Sequence, residues 1–171
     1  CTSATCCSPA RLWRSIQTLI ANKNKQDLMK LCQDGDKAGH VLRVVLSSRL
    51  SNDASRYPAS HKHRVLQLPT TDNSPAQSAA KLGRSVSDLN ALQLAMFHGQ
   101  EAMAMYLVQW VHQQASAKET AQFLNHLWGH RNNSLHLACF LGMPRLAKLL
   151  LDLGVPVDAV NGKLKTPFDC C

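Results

Sequence analysis

Histidine and cysteine are the side chains here whose chemistry would support catalysis or metal binding. His126 and His130 stand four residues apart, a spacing that suits a metal ion when both side chains lie on one helix. Gly129 interrupts such a helix and no glutamate lies between the two histidines, so we predict no metal site. His61 and His63 lie in a polar segment, and we predict that water solvates them.

The seven cysteines form no regular pattern either. Their odd number and the lack of a Cys-x-x-Cys pair favour a reducing compartment, the cytoplasm or the nucleus. The adjacent pair Cys170–Cys171 could accept a lipid, which would bring the chain to a membrane. Its position in a repeated helical segment predicts burial instead. The cysteines are Cys1, Cys6, Cys7, Cys32, Cys139, Cys170 and Cys171.

Motifs of known catalytic chemistry are missing from the sequence. No phosphate-binding loop, Gly-x-Ser-x-Gly or paired-carboxylate motif occurs, and the 11 acidic residues are scattered singly. We therefore predict that the chain is not an enzyme and needs no cofactor. Because it begins at Cys1 rather than Met and stops inside a repeat, we expect a fragment of a longer protein. A targeting fragment of a larger enzyme stays an alternative.

The net charge of +8 is uneven along the chain. Residues 1–65 carry 11 lysines and arginines against 4 acidic residues. Such a basic region suits an acidic protein, nucleic acid or an anionic membrane surface, or it is a solvated helix face. Few aromatic residues, Trp13 and Tyr57, stand among the basic ones, so the solvated face is favoured over single-strand binding. The sequence lacks an apolar run long enough to span a membrane.

Apolar spacing and capping residues predict the helices. Ser8-Pro9 is typical of a helix start, and Ser116 with Glu119 forms a capping box. The polar segment 51–88 predicts a long insertion, with a helix near 76–82. Within it Ser74, Ser85 and Ser87 stand in short contexts that either allow phosphorylation or arise by chance.

An internal repeat lies in the second half of the chain. The stretch Asn-Ser-Leu-His-Leu-Ala-Cys-Phe-Leu-Gly begins at Asn133, and Thr-Pro-Phe-Asp restarts the pattern at Thr166, 33 residues later. Asn90 opens a similar stretch that ends at Gly99. This pattern resembles the ankyrin-repeat family. The resemblance implies an all-α, ankyrin-type helix-turn-helix solenoid of about three to four repeats, the last incomplete, with an N-terminal helical cap and a long insertion.

The resemblance also implies a division of the single domain 1–171. We predict a capping helix over 8–21, a degenerate repeat over 27–50, a flexible insertion over 51–88, a repeat with a ten-residue insertion over 90–128, a full repeat over 133–165 and the start of a further repeat over 166–171. The extra residues of the 90–128 repeat are expected to lengthen its second helix to about Gln114 and to add a short helix.

The turns before each repeat depart from the family pattern. An Asp normally begins that turn, and a Gly lies two residues before the Thr. Asp88, Arg131 and Leu164 occupy the Gly position here, whereas Gly129 and Gly162 fall two residues earlier. We predict a tight turn with positive φ at Asn161-Gly162.

In this family the turns and the first helices bind partner proteins. Phe97 and Phe140 share one slot, and we predict that they form an apolar strip; packing between repeats or under the insertion is the alternative. His136 is expected to tie neighbouring turns through its two ring nitrogens. The flanking turn residues predicted to contact the partner are Ser87, Leu89, His130, Asn132, Lys163 and Lys165.

The sequence therefore predicts a protein-interaction module, a monomeric scaffold or adaptor in the cytoplasm or the nucleus that binds a protein with apolar and acidic residues. The main alternative is a nucleic-acid-associated or chromatin-associated regulator that uses the basic N-terminal third.

Overall fold

The computed structural model describes residues 8–53, 55, 66–68 and 75–171. The regular structure of these residues is helical, which confirms the predicted all-α fold. None of their helices is long and apolar enough to cross a lipid bilayer. The helices are α1 (Pro9–Ala21), α2 (Lys25–Gln33), α3 (Ala38–Ser47), α4 (Pro75–Leu82), α5 (Ala91–Phe97), α6 (Glu101–Gln114), α7 (Ala117–Leu124), α8 (Ser134–Leu141), α9 (Pro144–Asp152) and a 3-10 helix, Phe168–Cys170. The predictions for Cys1, Cys6, Cys7, His61, His63 and Ser74 lie outside the described residues.

Two compact units make up the chain: unit 1 is Cys1–Ser48 with Asn90–Phe123, and unit 2 is Arg49–Leu89 with Leu124–Cys171. In unit 1, α1 begins as predicted. The Ser8 side chain accepts a hydrogen bond from the Arg11 backbone N–H, and proline occupies the first helical position.

The turn between α1 and α2 has the geometry of the turns inside α5–α6 and α8–α9. Lys23, Gly99 and Gly142 have φ values of 58°, 70° and 67°. In each turn this left-handed residue donates to the carbonyl three positions back, and the next residue donates to the carbonyl five positions back. We therefore propose that α1 and α2 form a helix pair of the same kind.

This pairing differs from the predicted division, in which α1 is a cap and α2 opens a degenerate repeat. The prediction aligned Leu28 with Leu135 on apolar spacing. First and second helices of a pair share that spacing, because each buries one face. Spacing alone therefore does not distinguish the two positions. The short connection does, because α2, α6 and α9 each begin two residues after the left-handed residue, whereas Gly154, which ends α9 with the same hydrogen bonds, is not followed closely by a helix.

The lengthened second helix of the 90–128 repeat is confirmed, since α6 ends at Gln114 and α7 follows. The capping box of α7 is also confirmed. Glu119 accepts from the Ser116 backbone N–H, and the Ser116 hydroxyl accepts from the Glu119 N–H. Both oxygens of the Glu119 carboxylate accept hydrogen bonds from Arg43 on α3. The Arg43 guanidinium and the Ser116 N–H lower the pKa of Glu119 to about 2.

In unit 2 the helix predicted near 76–82 is confirmed as α4. It contacts the 3-10 helix, where Lys81 Nζ donates to the carbonyl oxygens of Cys170 and Cys171. The segment predicted as an insertion thus contributes a helix that packs within the unit. A second contact within that segment joins Asn52 to Leu66. The Asn52 side chain donates to the Leu66 carbonyl oxygen and accepts from the Leu66 backbone N–H.

Candidate partner-binding site

Three finger turns, residues 85–89, 128–132 and 161–165, lie side by side in unit 2. The Gly129 N–H donates to Ser87 O at 3.0 Å, which joins the first turn to the second. The Gly162 N–H donates to His130 O at 2.7 Å, which joins the second to the third. The same backbone position of the second and third turns therefore bonds to the preceding turn.

Close approach of the backbones explains why glycine stands at this position. A Cβ on Gly129 would lie 2.4 Å from Ser85 O, and one on Gly162 would lie 3.1 Å from His130 O. The first distance is far inside van der Waals contact. Glycine is thus used where one turn touches the next, two residues before its usual place in the family.

The position where the family pattern has glycine, two residues before the Thr, has a left-handed backbone here although another residue occupies it. Asp88, Arg131 and Leu164 have φ values of 58°, 60° and 57°. The predicted positive φ at Asn161-Gly162 was wrong, because the left-handed residue of that turn is Leu164. Asn161 stabilises the turn differently, since its side-chain oxygen accepts the backbone N–H groups of Lys163 and Lys165. A left-handed residue other than glycine costs about 1–2 kcal/mol, so the three positions store strain.

Buried side chains anchor the finger turns to α4. The Asn161 amide group donates to Lys81 O at 2.8 Å and to the Asn132 side-chain oxygen at 2.7 Å. The Asn132 amide group donates to Leu82 O at 2.9 Å. Both asparagines are buried, and the network uses their amide groups on protein partners.

His136 joins the repeat to the turn that follows it, as predicted. One ring nitrogen, Nδ1, lies 2.7 Å from the Asn133 side-chain oxygen, and Nε2 lies 2.8 Å from Lys165 O. The ring is fully buried. Burial lowers its pKa, against a smaller opposing effect of the Lys165 carbonyl. The imidazole is therefore a structural link.

Burial of three histidine side chains, full at His136 and partial at His98 and His126, leads us to predict that acid destabilises the fold. Burial lowers the pKa values of His98, His126 and His136 below the ordinary 6.5. The unfolded chain then takes up protons at a higher pH than the folded chain, so the unfolding free energy falls as the pH falls below about 6.5. The contribution of the histidines to this fall ends once the pH is below their folded-state pKa values. Urea denaturation across this range measures the slope, and a flat profile would contradict the prediction.

Exposure separates the predicted contact residues into two groups. Leu89 and Asn132 are fully buried, and Phe140 is only 9% exposed. These three side chains pack inside the protein, which for Phe140 favours the packing alternative. Phe97, in unit 1, is half-buried. The accessible predicted residues of unit 2 are Ser87, which is half-buried, and His130, Lys163 and Lys165, which are exposed.

Three accessible residues at one position of the finger turns were not predicted as contacts. Leu164 is 81% exposed although it is a large apolar side chain, and Arg131 and Asp88 are exposed at the same position of the two preceding turns. In the sequence, the indication that these residues are accessible was that they replace the glycine of the family pattern. A side chain in the left-handed conformation there projects from the tip of the turn.

The remaining chemical candidates form no site in the described residues. His126 Nε2 lies 2.5 Å from Asp88 O, and no cluster of three metal-binding side chains occurs in the described part of the chain. Cys170 is buried as predicted, whereas Cys171 is exposed. Burial raises the pKa of Cys139 to about 12 and that of Cys170 to about 11, which leaves these thiols protonated.

Comparison with known proteins identifies one repeat. Residues 130–162 match the family model described as Ankyrin repeat. The match runs from the second finger turn through α8 and α9 to the third turn. No curated protein and no solved structure matches the chain.

Proposed function

We propose that the chain, whose residues 130–162 match the Ankyrin repeat model, is a protein-interaction module of the ankyrin-repeat family without catalysis of its own. The finger turns of unit 2 are the proposed contact surface. We place the module in the cytoplasm or nucleus as a monomeric scaffold or adaptor, in keeping with the free thiols of Cys32, Cys139, Cys170 and Cys171.

The observation that supports the proposal is the exposure of the Leu164 side chain on a strained turn. A leucine that is 81% exposed leaves its apolar surface in water, and its φ of 57° adds backbone strain. Neither feature stabilises the isolated fold. Both are accounted for if a partner covers the side chain, because the left-handed backbone then aims an apolar anchor outward.

The charges beside Leu164 define the chemistry of the partner. Lys163 and Lys165 flank it and are exposed, and Arg131 is exposed on the neighbouring turn. We propose that the partner places an apolar side chain on Leu164 and acidic side chains on these cations. Ser87 and His130 are further proposed contacts at the tips. Phe97 stays a separate predicted contact of unit 1.

Replacing Leu164 tests this function. We expect Leu164→Gly to leave the unfolding free energy unchanged or to raise it by up to about 1 kcal/mol, because glycine tolerates the left-handed backbone. We expect the same change to weaken partner binding about tenfold or more, because the anchor is gone. Residues 1–171 and the variant serve as baits in cell lysate, followed by affinity measurement on the recovered proteins.

Leu151→Ala is the matched control, since Leu151 is an exposed leucine on α9 of the same unit. It should retain the recovered proteins. Equal binding by Leu164→Gly and unaltered protein would remove the finger tips from the proposed site. Recovery of nucleic acid alone, released by salt, would support the nucleic-acid-associated or chromatin-associated regulator instead.

A further inference from the structure

A groove between α1, α2 and α3 of unit 1 lies outside the finger turns. Two adjoining cavities of about 630 and 200 Å³ form it, and both are lined by Ser15 and Leu31. Leu19 and Leu31 are half-buried there. They provide an apolar floor that the described residues leave partly open.

Acidic side chains on the groove rim already have basic partners. Lys30 Nζ lies 3.4 Å from the Asp27 carboxylate, and Lys37 Nζ lies 3.8 Å from that of Asp34. Each pair joins residues of one chain segment, three positions apart. The two pairs therefore cancel locally and add no net charge to the rim.

Arg11 and Arg14 supply the surplus positive charge of the groove. Both side chains are exposed and line the cavities, and α1 contains no acidic residue. Neither guanidinium forms an ion pair with any residue that the structure describes. Residues three apart lie on one side of a helix, so the two charges flank the same stretch of floor.

We propose that this groove binds an acidic amphipathic α-helix of a partner protein. The apolar stripe of that helix covers Leu19 and Leu31, and its acidic side chains meet Arg11 and Arg14. Over the stretch from Arg11 to Leu19, α1 rises about 12 Å, which matches two to three turns of a bound helix. Apart from the His40 imidazole, no aromatic side chain is among the described lining residues, so the groove lacks the row of stacking rings of a single-strand binder.

Selection from a displayed library of random short peptides on residues 1–171 tests the proposal. We expect a class of peptides rich in Asp and Glu, with apolar residues spaced three and four apart. Synthetic members of this class should bind the Arg11→Glu, Arg14→Glu variant at least about tenfold more weakly in fluorescence anisotropy. They should shift the backbone NMR signals of α1–α3 and leave those of residues 161–165 unchanged.

A charge-matched control is Lys118→Glu with Arg145→Glu, two exposed positions without an ion pair in the described structure. It should retain binding, as should Arg11→Lys with Arg14→Lys. The proposal is overturned if no acidic amphipathic class is selected, or if the selected peptides bind the Arg→Glu variant and the protein equally. Scrambled peptides that bind as well would show charge attraction without a helix in the groove. Because the finger turns belong to unit 2, failure here leaves the Leu164 test unaffected.

Discussion

Gly129→Ala should destabilise the protein by about 3 kcal/mol. A left-handed alanine costs about 1–2 kcal/mol, and forced overpacking costs about 1–3 kcal/mol more. The new Cβ would meet Ser85 O at 2.4 Å, and a backbone oxygen cannot move aside as a flexible side chain does. The bond from the Gly129 N–H to Ser87 O fixes the two turns at that separation. Chemical denaturation measures the change in unfolding free energy.

Gly142→Ala is the matched control for this substitution. Gly142 has a φ of 67°, close to the 54° of Gly129, but a Cβ there meets nothing within 4 Å. Gly142→Ala should therefore cost only the unfavourable backbone conformation, about 1–2 kcal/mol. Equal losses for the two variants would mean that conformation alone, rather than contact between turns, requires glycine at position 129.

Asn161→Asp should cost about 3 kcal/mol, although aspartate begins this turn in the family. A carboxylate keeps the two hydrogen bonds accepted from the backbone of Lys163 and Lys165. It cannot donate to Lys81 O or to the Asn132 side-chain oxygen, and it places a charge against both. Asn161 is 3% exposed, so water does not replace these partners.

Two further variants separate the effect of the lost hydrogen bonds from the effect of the added charge at position 161. Gln122→Glu makes the same amide-to-acid change at an exposed position of α7 and should leave stability nearly unchanged. Asn161→Ala removes all four hydrogen bonds without adding charge and should also be strongly destabilising. If Asn161→Asp unfolds at the same denaturant concentration as the unaltered protein, the network between the third finger turn and α4 does not stabilise the fold.

Local features of the sequence predicted the helices well. Ser8 and the Ser116–Glu119 pair cap the helices that follow them, and α6 ends at Gln114, where the predicted extension ends. Capping and apolar spacing depend on residues a few positions apart, so they can be recognised in the sequence. The His136 link was predictable because it accompanies the repeat motif.

The accessibility of the proposed contacts was not predictable in the same way. Leu89 pairs through its backbone with Leu50, 39 positions earlier, and Asn132 bonds to Leu82, 50 positions earlier. Both side chains are buried as a result, whereas Leu164 was left exposed by the same packing. The repeat pattern does not predict these long-range contacts, because it does not say which distant residues pack against each turn.

The sequence by itself determined the helical class, the capped helix starts and the ankyrin-type pattern of residues 133–166, since these follow from chain chemistry within one or two helical turns. Only the tertiary structure decided that α1 and α2 share the turn geometry of the later pairs. It also decided that Gly129 lies close to the Ser85 carbonyl oxygen and that the Asn161 side chain donates a hydrogen bond to Lys81 O of α4. Those outcomes depend on how closely distant segments approach, and that distance is set by packing of the whole unit rather than by any local preference.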